Sequence, residues 1–202
     1  MKSRPLFDIA LWSSFTIAFA CFCNRSQTDN DAPRNVIPAD LAPANNEIPG
    51  WIIGESPDCS GQGTANDSNE LYLIFDGPGE PFARNGFVNG LFQAYIDTTS
   101  ISTGDTVPMC VQVFNQANHA NAVEIYKEQG NNYTPYIPVT SLGDMSRMDT
   151  AMTNIILETV HRNYFIRLIV YKRGPPTDVK YEQALMAFGS AIIKRIDTAP
   201  TL

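Results

Sequence analysis

Apolar side chains recur at two different spacings in the last third of the chain. From Tyr164 to Tyr171, Tyr164, Ile166, Leu168 and Val170 fall on one face of an extended segment, and Phe165, Arg167, Ile169 and Tyr171 on the other. Successive side chains of a strand alternate between faces, so this spacing predicts a strand covered on both sides. Met152 to Val160 reads as a second strand, joined to the first across His161, Arg162 and Asn163. Beyond Gly174-Pro175-Pro176 the spacing changes. Tyr181, Leu185, Phe188, Ile192 and Ile196 recur at intervals of three and four, the apolar stripe of an amphipathic helix, with Thr177 or Asp178 in place to cap it.

Earlier elements follow from the same reasoning. Ile48 to Gly54 predicts a first strand, Ser56 to Thr64 a loop that contains Cys59, and Asp67 with Glu70 the capped start of a helix. Gly77-Pro78-Gly79 must break that helix, because proline lacks the donor N–H; Glu80 to Asn85 can add one turn before Gly86. Phe87 to Ile96 and Val107 to Phe114 predict a hairpin across a polar connection. Asn118 caps a second helix that Gly130 ends in a left-handed turn, and Tyr133 to Val139, with Pro135 and Pro138, suits an edge strand. The order implies one α+β domain, with a mainly antiparallel sheet and about three packed helices.

Three stretches carry a resemblance. NELYLIFDGPGEPFARNGFVNGLFQAYI, VQVFNQANHANAVEIYKEQ and RNYFIRLIVY resemble a family of exported bacterial proteins known only as a domain of unknown function. The matching positions are Leu71-Tyr72 at a helix start, Asp76-Gly77-Pro78-Gly79-Glu80 at a break and Gly86-Phe87 at a strand entry, with departures at Pro78 and Asn85. The likeness fades over residues 21–46 and around Gly143. It implies export and fold class and brings no activity with it.

The N-terminus has the plan of a signal peptide: Lys2 and Arg4 precede an apolar run from Ile9 to Ala20. At roughly 12 residues the run is shorter than the ~20 that span a bilayer. Ala18-Phe19-Ala20 suits ordinary signal peptidase, while Cys21 immediately after it resembles the lipid-bearing cysteine of a bacterial lipoprotein. Residues 1–20 are therefore read as the signal, 21–46 as a flexible tether poor in large apolar residues, and 47–198 as the domain. Loss of Lys2, Arg4 and Asp8 takes the formal charge from -7 to -8. An acidic chain without a Lys/Arg cluster is a poor partner for nucleic acid. The partners it suits are a membrane, reached through a lipid anchor, and a protein or small apolar ligand.

Candidate chemistry is sparse. Cys59 and Cys110 are the cysteines beyond residues 21–46, and in an exported chain they read either as a disulfide or as two unpaired thiols. Asp76, Glu80 and Arg84 form a candidate rim site, with Glu80 and Arg84 four apart as a local ion pair. A hydrolase using Asp76 and Glu80 is the alternative to a non-catalytic binding module. DGPGE lacks the Lys and Ser/Thr of a phosphate loop, and neither a zinc spacing nor a nucleophile elbow occurs, so no catalytic residue, metal or cofactor is assigned. His119 and His161 fall at element ends, where solvent is expected to reach both.

Overall fold

In a computed structural model, residues 33–75, 77–101, 106–130, 136–150, 154–171 and 179–200 are described. Eight strands make one antiparallel sheet: β1 (Trp51–Gly54), β2 (Gly63–Ala65), β3 (Asn89–Asp97), β4 (Pro108–Asn115), β5 (Ile137–Pro138), β6 (Met145–Asp149), β7 (Asn154–His161) and β8 (Tyr164–Tyr171). Their order is β1-β3-β4-β8-β7-β6-β5, and β2 also pairs with β3. The helices are α1 (Ser68–Phe75), α2 (Glu80–Arg84), the short α3 (Thr98–Ile101), α4 (His119–Gly130) and α5 (Val179–Thr198). The architecture is α+β, and none of the described helices is long and apolar enough to cross a membrane.

The alternation in β8 sorts the layers. Tyr164, Ile166, Leu168 and Val170 join Met109, Val111 and Val113 of β4 in a core closed by Tyr181, Leu185, Phe188, Ile192 and Ile196 of α5. On the opposite face Phe165 meets Phe92 and Phe114 beneath α1, α2 and α4. Asp67 caps α1, its Oδ1 accepting the N–H groups of Asn69 and Glu70 at 2.8 and 2.9 Å. Asn118 Oδ1 caps α4 by accepting the Asn121 N–H at 2.9 Å. At the start of α5, Lys180 Nζ donates to Asp97 Oδ2 at 2.5 Å, joining the helix to the end of β3.

Several expectations change. The first strand starts at Trp51 rather than Ile48, β2 ends what was read as a loop from Ser56 to Thr64, and β6 lies where no strand was expected. Of the expected edge strand only Ile137 and Pro138 are in the sheet, its start at 133–135 lying outside the described residues, as do the cap positions Thr177 and Asp178. Gly130 does not take a left-handed conformation; it is glycine because a Cβ there would run into the Arg147 guanidinium. Residues 33–46, expected to belong to a flexible tether, pack onto the domain, and 21–32 lie outside the described residues. Val36 and Leu41 are buried in the α5 core, Val36 N–H donates to Tyr164 Oη at 3.0 Å, and Tyr95 Oη donates to the Pro43 carbonyl at 2.7 Å. Residues 33–46 thus form a strap across the domain.

The helix break behaves as its glycines and proline require. A 3-10 turn over Gly77–Gly79 separates α1 from α2, and α2 drops Phe82 onto Phe114 with the rings stacked 3.8 Å apart. Gly86 then reverses the chain with φ +81°, and a Cβ there would lie 2.7 Å from the Asn121 side-chain nitrogen. A β-branched residue is strained in this region, so Gly86→Val is expected to lower unfolding free energy by more than about 1 kcal/mol in urea titration. Cys59 and Cys110 are bridged, with Cα atoms 5.3 Å apart across 51 positions, fixing the loop after β1 to the middle of β4. Replacing both with Ala is expected to cost about 2–4 kcal/mol in the same titration.

Candidate functional site

Of the rim read from the sequence, Glu80 and Arg84 are described and they turn to different partners. Asp76 lies outside the described residues. Glu80, instead of pairing with Arg84 one turn on, accepts a hydrogen bond from Tyr72 Oη at 2.5 Å. Arg84 turns away to Glu128 of α4, donating at 2.8 and 3.0 Å. Both contacts are exposed. An exposed ion pair such as Arg84–Glu128 is worth little, and Glu80 itself is exposed to water.

A more heavily charged site lies under α4. Glu158 of β7 is 1% exposed, and both its oxygens are occupied: Oε2 accepts from Arg147 Nε at 2.8 Å and also from Arg147 Nη2, while Oε1 accepts from Arg167 Nε at 2.7 Å. Cross-strand pairing brings the three together, since Arg147 opposes Glu158 and Glu158 opposes Arg167. Arg167 also donates to Gln129 at 2.6 Å, and the Arg147 guanidinium lies 3.9 Å from the Tyr126 ring centroid. With both oxygens hydrogen-bonded to guanidinium groups, this carboxylate holds strands and helix together.

A second polar cluster closes the end of the molecule formed by the β7–β8 turn. His161 Nε2 shares a hydrogen bond with Asp197 Oδ1 at 2.9 Å, and its Nδ1 lies 3.6 Å from Asp144 Oδ1. Arg162, in a left-handed conformation at φ 53°, donates its backbone N–H to Asp144 Oδ2 and its Nε to Asp197 Oδ1, both at 2.8 Å. His119 Nδ1 faces the Arg162 carbonyl at 2.8 Å; a carbonyl only accepts, so this nitrogen carries the proton. His161 is 13% exposed in its side chain, which corrects the expectation that both histidines are solvated. Burial disfavours its imidazolium, but Asp144 and Asp197 outweigh that and raise its pKa. Burial likewise works against the two carboxylates, and the bonds from His161 and Arg162 overcome it and hold both below the ordinary range.

Beside this cluster the strap and the end of α5 leave a cavity of about 460 Å³, walled mainly by Val36, Ile37, Ala199 and Pro200, with Asp40 and Arg195 at its polar margin. Arg34 fixes the seam. Its Nη1 donates to the Ala199 carbonyl at 2.6 Å, and its backbone N–H donates to Asn163 Oδ1 at 2.8 Å. Asn163 Nδ2 donates to the Arg34 carbonyl at 2.9 Å and to Asn115 Oδ1 at 2.7 Å. Strap, hairpin turn and helix end therefore meet at one place.

Cys21 lies outside the described residues, and Cys59 and Cys110 form the disulfide. Among the described residues no group of three or more His, Cys, Asp or Glu is arranged to hold a metal. Set against family models, curated proteins and solved structures, the chain finds no match in any of the three. Asp144, Asp197, Arg147 and Glu158 carried no signal in the sequence, because each is a single charged residue whose partners lie on other elements. Removing the charge at Glu158 leaves two guanidinium groups facing each other out of water. Glu158→Gln is therefore expected to destabilise the fold by about 3–5 kcal/mol, read by denaturant unfolding, and more than the paired change Arg147→Met with Glu158→Leu.

Proposed function

We propose that this chain is an exported envelope protein, lipid-anchored at Cys21, that works as a non-catalytic binding module. Its ligand is a small apolar molecule taken into the cavity between the strap and α5. The observation that carries this reading is that cavity: an apolar recess with a few polar groups at its margin, which is how small-molecule sites are commonly built. The buried disulfide is in keeping with an oxidising compartment outside the cytoplasm. From Cys21 to Arg34, at the start of the strap, the chain can extend no further than roughly 45 Å. A lipid on Cys21 would keep the cavity close to a membrane, where apolar ligands concentrate. The competing hydrolase at Asp76 and Glu80 finds less support, since Glu80 is exposed and bonded to Tyr72.

The test uses a neutral naphthylamine probe whose fluorescence rises in apolar surroundings. The folded protein is expected to bind the probe saturably, Ile37→Asp to weaken binding at least tenfold, and Cys21→Ser to leave binding intact while releasing the protein from membranes. A folded protein that does not bind the probe overturns the binding reading. An unmodified mature terminus, seen by intact-mass analysis of membrane-extracted protein, overturns the anchor.

A further inference from the structure

We propose that His161 is a proton-operated latch that holds the α5 wall of the cavity in place at mildly acidic pH and loosens it as the pH rises. The latch stands on the geometry of the cluster; its consequence for ligand exchange rests on the cavity being the binding site proposed above.

The charged groups that face His161 come from every element packed around it. Asp144 comes from the loop before β6 and Asp197 from the last turn of α5, while Arg162 belongs to the same turn as His161. His119 of α4 reaches Asp144 at 3.7 Å. An imidazolium has two N–H groups and meets both carboxylates at once, one through the 2.9 Å hydrogen bond to Asp197 and the other as a charge partner of Asp144 at 3.6 Å. A neutral imidazole has one N–H. If it keeps the 2.9 Å bond to Asp197, it turns a bare lone pair toward Asp144; if it turns its proton to Asp144, it releases Asp197. With His161 charged, two carboxylates face two cations, Arg162 and His161; with His161 neutral, Arg162 faces both carboxylates without it.

The consequence travels a short covalent path. Asp197 is two residues from Ala199, whose carbonyl accepts from Arg34 and which, with Thr198 and Pro200, lines the cavity. Loosening Asp197 loosens that wall and its bond to the strap. Arg162 Nε still holds Asp197, so the wall relaxes rather than detaches. The sign follows from the shifts. The folded pKa of His161 lies above its ordinary value, so its contribution is complete below about pH 6.5 and is lost as the pH rises through the folded value. Asp144 and Asp197 are shifted down, so their contribution is present above about pH 4 and is lost on further acidification. The latch is therefore fully closed between about pH 4 and 6.5.

Native-state amide exchange of residues 195–199, corrected for the intrinsic pH dependence of exchange, reads the latch without any ligand. Protection there is expected to fall severalfold between about pH 5.5 and 8.5, while the amides of β4 keep theirs. His161→Gln should abolish this pH dependence and His119→Gln should retain it. Should His161→Gln fold poorly, Asp144→Asn serves, expected to lower the His161 titration midpoint measured by NMR. A flat wild-type profile, an unchanged pH dependence in His161→Gln, or an unmoved midpoint in Asp144→Asn overturns the latch. Exchange that follows pH in a protein that binds no probe supports the latch and overturns the binding reading.

Discussion

At the centre of the sheet β4 and β8 are buried on both faces, so neither strand is stable until a layer lies on each side. Met109, Val111 and Val113 need α5, while Phe114 and Phe165 need the helices of the opposite face. A sheet sealed on one side alone would leave a row of large apolar side chains in water, each worth roughly 1.5–3 kcal/mol on burial. The strap, the helix break and the disulfide all serve this double covering. Leu41 and Trp51 complete the α5 layer, Phe82 completes the aromatic layer, and Cys59 brings the loop after β1 onto the face of β4.

Double burial also explains why polar groups gather into closed knots. Once β7 is covered on both sides, Glu158 cannot be solvated, and its charge is tolerated because Arg147 and Arg167 supply donors to both oxygens. Pairs of this kind do little for stability compared with an apolar replacement, but losing one member is costly. The cluster of His161, Asp144, Asp197 and Arg162 differs in one respect. It sits at the edge of the covering layers, where water reaches Asp197 and a proton can come and go.

That edge is also where the strap enters and α5 ends. Arg34, Asn163 and the Ala199 carbonyl tie the two together, and the cavity is the space their backbones leave between them. The recess is bounded by a strap whose Val36 and Leu41 are anchored in the α5 core, and hydrogen bonds from Arg34 close its seam. By contrast, the glycine-rich turn after α1 directs Phe82 and Phe87 inward and leaves Glu80 and Arg84 on a solvated surface.

Local pattern determined much of the architecture. The two-faced alternation of β8, the stripe of α5, the caps Asp67 and Asn118 and the break at Pro78 each depend on residues within a turn or two of one another, and the sequence displays those relations directly. The pairing of Cys59 with Cys110 was legible as one of two readings, since in a chain read as exported an even pair favours a bridge. Only the tertiary structure decided the rest. Met145–Asp149 hides its strand because Ser146 and Arg147 point to buried partners, Thr159 and Glu158, on β7, so the usual apolar signal is missing. Gly130 resembled a helix stop and proved to be a clearance for Arg147. His161 resembled a solvated turn residue until Asp144 and Asp197, 17 and 36 positions away, closed on it; such a meeting is fixed by strand pairing and helix packing, not by spacing along the chain.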